Sequence, residues 1–312
     1  MGDPASRPLL VYTPPGWPDD GPYPAVWSLQ GLTGQAPQWR ERGAFQTSFP
    51  EDVDRLIAAG ECPPVVVPMP DAWTAYGGSQ FIDSAGTGRY ATYLCDELVP
   101  WVDERFATIP ASSGRAVQGK SSGGYGALVL AMLRPDVWGA LGDVAGDAGF
   151  EYAYLPELPA TWAMLHEHGS IEAFWAWMLE QPRPSPAAMS AINTIAMSAC
   201  YSPGPDGRPE LPFELVDGSL REDVWARWLA WDPVRMLPHH LEALRGLRGI
   251  SLECGLQDEY NLHVGTAMLH RRLEEAGVPH RFELFAGGHG HIGHRYAPLV
   301  AWLAERLTAG PG

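Results

Sequence analysis

A chain of 312 residues with 46% hydrophobic residues and a net charge of −16 has the make-up of a globular protein with a sizeable core, in one large domain or two smaller ones. The negative charge argues against nucleic acid and anionic membranes as partners, because each would have to approach a like-charged surface. No apolar run reaches the length of a membrane-spanning helix.

The start, Met1-Gly2-Asp3-Pro4, has no basic segment followed by an apolar run and no serine or threonine placed for myristoylation, so no leader or lipid anchor is expected. Cys62, Cys95, Cys200 and Cys254 stand alone with no C-x-x-C pair. They read as free thiols, which points to a cytoplasmic protein. Self-association into a homo-oligomer is left open.

The pattern begins with a short apolar strand over 8–13, closed by Pro14-Pro15-Gly16. A second strand over 25–29 runs into the glycine-bracketed loop Gln30-Gly31-Leu32-Thr33-Gly34. An amphipathic helix follows over 51–59, and residues 64–68, centred on Val-Val-Val, read as a fully buried strand of the parallel-sheet kind. Apolar residues at helical spacing over 92–106, despite Pro100, lead to a strand at 115–118 and an apolar helix over 127–133. Another strand is expected over 138–144. From Phe150 to about Trp231 strand signals vanish, and helical stretches at 171–179 and 220–231 alternate with Pro/Gly-rich loops such as 201–212. Strand 250–254, helix 264–276, strand 281–285 and helix 299–307 then restore the alternation. The fold class is α/β, a mostly parallel sheet flanked by helices. Residues 1–312 read as a single domain, with 150–231 a helical cap inserted over the sheet.

Ser121 sits at the centre of this pattern. Gly119-Lys120-Ser121-Ser122-Gly123, between a strand and a helix, has the G-x-S-x-G spacing of a nucleophile elbow. Small residues two positions either side let strand and helix backbones approach while the serine hydroxyl stands clear of the turn. The N–H of Ser122 then points to where an oxyanion would form. Gly114-x-x-x-x-Gly119-Lys120-Ser121 also matches a phosphate-binding P-loop, but that motif needs a buried strand before its first glycine, and Ile109-Pro110-Ala111-Ser112-Ser113 is turn chemistry.

A serine hydroxyl needs a base to take its proton and a carboxylate to orient that base. In open α/β sheets such groups leave the carboxyl ends of strands, which selects Gly255-Leu256-Gln257-Asp258-Glu259 and Gly287-Gly288-His289-Gly290-His291. Asp258 is preferred over Glu259 because it lies closer to its strand, with a loop acid or helix cap as the bland reading. His289 is preferred over His291 and His294. The three histidines also invite a metal reading, but with no nearby Cys or acidic fourth ligand neither metal nor cofactor is expected. The second oxyanion donor is expected to be the Leu32 N–H, each donor contributing about 3 kcal/mol.

Gly31-Leu32-Thr33-Gly34, Gly119-Lys120-Ser121-Ser122-Gly123-Gly124-Tyr125-Gly126-Ala127, Cys254-Gly255-Leu256-Gln257-Asp258 and Gly287-Gly288-His289, in that order, resemble the esterase family of α/β-hydrolases that includes esterase D, antigen 85 and feruloyl-esterase-like members. The resemblance implies a metal-free serine carboxylesterase acting on small-molecule esters, with aryl or feruloyl-type esters among them. It places the nucleophile on Ser121, the acid on Asp258, the base on His289 and the oxyanion donors on Leu32 and Ser122. An acyltransferase or an S-formylglutathione-type thioesterase would use the same groups, and a P-loop nucleotide binder is the remote alternative. Gln30, Lys120 and Ser122 depart from common family residues, and Gly2-Asp3-Pro4 resembles the middle of a family segment, so an upstream edge strand is expected to be missing. Lys120, Tyr125, Asp147, Trp228 and Trp231 are the further candidates for the substrate pocket, and Lys120 is the sole lysine of the chain.

Overall fold

Short runs, most of which bury apolar residues on both faces, become strands: β1 (Leu9–Tyr12), β2 (Ala25–Leu29), β3 (Val67–Pro70), β4 (Arg115–Lys120), β5 (Ala140–Val144), β6 (Gly249–Gly255) and β7 (Arg281–Phe285). The structure, a computed structural model, describes residues 3–309. Met1 and Gly2, on which the reading of the N-terminus partly rests, lie outside the described residues. Strands β2, β4, β5, β6 and β7 form, in that order, a five-stranded parallel sheet. The first three are buried almost end to end, as parallel strands covered on both faces must be.

The valine run departs from expectation. Its strand starts at Val67, pairs antiparallel with β1 in the register Leu9 to Pro70, and among the described residues bridges to the parallel sheet by hydrogen bonds only at Val66. The Val26 N–H donates to the Val66 carbonyl and the Val66 N–H to the Pro24 carbonyl, both at 3.0 Å. Pro68 and Pro70 share the parity of Val66, so the N–H groups they lack are those that would have faced β2. The parallel ladder stops there for that reason.

Around the sheet run α1 (Phe49–Ala58), α2 (Ser122–Leu133), α3 (Leu158–His168), α4 (Ile171–Leu179), α5 (Pro186–Tyr201), α6 (Glu222–Leu229), α7 (Leu262–Glu275) and α8 (Tyr296–Thr308). Helices α2 and α7 cover one face, in a core that includes Trp27, Leu130, Trp138 and Leu252. Helices α1 and α8 cover the other, around Val26, Val53, Val144 and Leu303. Helices α3, α4 and α5 gather a third cluster around Leu165, Phe174 and Ile195. Sharp entries define two of them: Ser170 accepts the Ala173 N–H at 3.1 Å and Ser185 the Ala188 N–H at 3.2 Å. Among the described residues no helix is long and apolar enough to cross a membrane.

Candidate active site

Ser121 stands between the last residue of β4 and the first of α2, with φ 57° and ψ −127°. A serine in that region carries backbone strain of about 1–3 kcal/mol, which the surrounding structure must hold. Its N–H donates to the Val144 carbonyl of β5 at 3.1 Å, and its carbonyl accepts the Tyr125 N–H of α2 at 2.9 Å. The glycines explain how close the two elements come. A Cβ on Gly119 would lie 2.4 Å from the Gly123 carbonyl carbon, and one on Gly123 would lie 2.3 Å from the Leu29 carbonyl oxygen. Residues 115–120 are strand rather than loop, so they form no phosphate cradle and the P-loop reading falls.

Two loops at the carboxyl ends of β6 and β7 are stitched together. The Leu256 N–H donates to the Phe285 carbonyl (2.8 Å), the Gln257 N–H to the Gly287 carbonyl (2.9 Å), and the Gly287 N–H to Gln257 Oε1 (2.7 Å). Asp258 divides its carboxylate between two tasks. One oxygen accepts the N–H groups of Tyr260 (2.9 Å) and Leu262 (3.4 Å) at the entry to α7, and the other stands 2.8 Å from His289 Nδ1. Glu259 reaches only the His289 backbone N–H, at 2.7 Å. Burial alone would raise the Asp258 carboxyl, but His289 and the two N–H donors more than offset it and hold its pKa below the usual value. Tyr260 meets the imidazole edge to face, with centroids 4.9 Å apart. Arg295 fixes the far end of the histidine loop through Glu253 (2.6 Å) and Glu283 (2.9 Å).

Ser121 and His289 line one cavity of about 250 Å³. Leu32 and Ser122 share the same wall, and Ser122 begins a helix, so its N–H has no intrahelical acceptor. Lys120 and Asp147 line it as well, together with Ala153, Tyr154, Met189 and Asn193 from the helical segment. His291 and His294 belong to a different groove, with Trp39, Phe49 and Tyr296.

The model of the family described as "Putative esterase" matches residues 4–297. The chain belongs to that family. Esterase Rv1288 of Mycobacterium tuberculosis is 36% identical over 243 residues, 75% of this chain and 43% of the relative. An endo-1,4-beta-xylanase/feruloyl esterase of Xylanibacter ruminicola is 28% identical over 153 residues, 47% of this chain and 17% of the relative. The chain thus spans less than half the length of either curated relative. A solved ferulic acid esterase superposes with a TM-score of 0.61 at 18% identity, covering 96% of this chain and 91% of that one, which shows a shared α/β-hydrolase fold.

Three of the pocket candidates in this esterase-family chain do not reach the cavity. Tyr125 is fully buried in α2, its hydroxyl donating to the Trp231 carbonyl at 3.2 Å. Trp228 is also fully buried, its indole N–H donating to Ser202 Oγ at 2.8 Å and its ring packed on Tyr154 and Tyr201. Trp231 packs against the same core. Trp228 sits behind the wall and braces Tyr154, because α6 turns that ring to the sheet-side core. Of the wall residues, Ala153, Tyr154, Met189 and Asn193 carried no signal in the sequence. Gln80, which donates to Asp147 Oδ2 at 2.9 Å, gets there through consecutive positive φ angles at Gln80 and Phe81 that nothing in the local sequence announces.

Beneath the elbow, Asp143 of β5 is fully buried, and a Cβ added to Gly124 would lie 2.3 Å from its Oδ1. Burial, countered only in part by the Gly146 N–H, pushes its pKa up to about 8. The folded state therefore holds this proton more tightly than the unfolded chain. The stabilisation is full below the unfolded pKa of about 3.9 and is lost as pH rises toward 8. Asp143→Asn is expected to melt higher than wild type by roughly 5 °C or more at pH 8 and to match it within about 1 °C at pH 4. Thermal melts across that range check the sign, and an Asn variant less stable at pH 8 would contradict it.

Proposed function

We propose that the protein is a serine carboxylesterase in which Ser121 is the nucleophile, His289 the general base and Asp258 the carboxylate that orients it. The observation that carries this reading is the pair of His289 Nδ1 and Asp258 Oδ2 at 2.8 Å, buried beside a serine held in an elbow on the same cavity. With Nδ1 facing Asp258, Nε2 is free to take the proton from Ser121 Oγ as that oxygen attacks the ester carbonyl. The carbonyl oxygen becomes an oxyanion, which the Leu32 and Ser122 N–H groups stabilise by about 3 kcal/mol each. His289 returns the proton to the departing alcohol oxygen and leaves an acyl-serine. A water molecule, deprotonated by His289 in its turn, then attacks the acyl carbon, and the acid leaves as Ser121 recovers its proton.

In this reading residues 150–231 are a cap on a single hydrolase domain. Their separate apolar cluster and the reach of Ala153, Tyr154, Met189 and Asn193 into the cavity support that division. The substrates are small carboxylic esters, and the relative named as a xylanase/feruloyl esterase makes aromatic acyl groups the first to try.

Asp258→Asn tests the assignment, because it removes the charge that stabilises the imidazolium and leaves the shape intact. A fall in kcat of about 10⁴-fold on a chromogenic ester is expected. A fluorophosphonate should also leave a single covalent adduct on wild type, at Ser121. An Asn variant keeping a tenth of the activity, or an adduct elsewhere, would refute the proposal.

A further inference from the structure

The charged groups around Ser121 are not equally provided for. Asp258 is held by His289 and two backbone N–H groups. Asp147 is buried, with Gln80 and Tyr154 both donating to its Oδ2 at 2.9 Å. Lys120 differs from both. It is the only lysine in the chain, lies next to the serine, lines the cavity and is half-buried. Among the described residues its ammonium has no hydrogen bond, and no carboxylate stands within salt-bridge distance. Burial lowers its pKa, and the fields of Asp258, Asp147 and Glu259 offset this only in part.

An ammonium that has no partner in the protein gains when a ligand supplies an anion to it. Among the described residues no arginine lines this cavity, so none of them offers a second permanent cation to that anion. The surrounding surface repels anions, given a net charge of −16. An anionic substrate would therefore find its attraction at this one point.

Resting on the reading of Ser121 as nucleophile, we infer that Lys120 selects esters carrying a carboxylate a few atoms from the scissile bond, its ammonium binding that group. The carboxylate sits either on the acyl side or on the alcohol side of the ester. Lys120 makes no bond to the reacting atoms and acts through binding, so its effect falls chiefly on KM.

Two matched pairs of esters separate the possibilities. Phenyl hydrogen glutarate against phenyl glutaramate places the charge on the acyl side, and 4-carboxyphenyl butanoate against 4-carbamoylphenyl butanoate places it on the alcohol. In one pair wild type should prefer the charged ester by about tenfold or more in kcat/KM, the scale of one hydrogen bond to a charged group. Lys120→Met should collapse that ratio at least tenfold through KM, and Lys120→Arg should retain most of it. Lys120→Gln stands in if the Met variant fails to fold, and the wild-type ratios decide alone if both fail. Equal rates within both pairs, or a preference that survives Lys120→Met, would overturn the inference and leave the esterase reading intact. Hydrolysis of none of the four esters by wild type would overturn both.

Discussion

Ser121→Ala is expected to lower kcat on a chromogenic ester by about 10⁴- to 10⁶-fold, leaving only the residual acceleration from binding and the oxyanion donors. The size follows from what the hydroxyl alone contributes. In the proposed mechanism it forms the acyl-enzyme, and without it His289 and Asp258 have no nucleophile to serve, so all three would act as one unit. Melting temperature should stay within a few degrees or rise, because Ser121 is held at φ 57° by backbone contacts that alanine keeps. The fluorophosphonate adduct should vanish with the activity. Retention of most of the hydrolysis by Ser121→Ala would place the chemistry on another residue and end the assignment.

Gly123→Ala is expected to have the second largest effect, and for a steric reason. The added methyl would meet the Leu29 carbonyl oxygen at 2.3 Å, its carbon at 2.7 Å and the Gln30 carbonyl oxygen at 2.8 Å. All three are backbone atoms of the β2 end and the loop that carries Leu32, so no side-chain rotation relieves the clash. Either α2 separates from the sheet or the Leu32 loop moves. The expected cost is about 4 kcal/mol or more, in the range reserved for severe overpacking. Hydrolysis should fall together with the melting temperature, since the displaced loop carries Leu32, one of the two proposed oxyanion donors. Gly290→Ala is the control for stability. Nothing lies within 4 Å of a Cβ there, and a change within about 0.5 kcal/mol is expected. A Gly123→Ala variant as stable as that control would show that the elbow tolerates a looser packing than described.

The sequence made the elbow and the two loops legible because each depends on near neighbours. Gly119 and Gly123 are required within five residues of one another, and Asp258 and His289 follow directly on strands whose apolar patterns are plain. It ranked Asp258 over Glu259 only by nearness to the strand end, since the two differ by one position. Only the folded loops show one carboxylate reaching the imidazole and the other the backbone. Whether tryptophans such as Trp228 and Trp231 line the pocket or pack in the core was open for a related reason. Periodicity puts Trp225 and Trp228 on one face of a helix, but which neighbour that face meets is not a local property.

Fold class, and the placing of Ser121 at a strand-to-helix turn, were thus determined by the sequence itself, through spacing that operates over a few residues. The tertiary structure alone decided the cavity wall, where Tyr154, Met189 and Asn193 arrive from helices far along the chain. It also decided which charges around Ser121 are satisfied and which is not. Burial and partnership depend on long-range packing, and no local pattern encodes them.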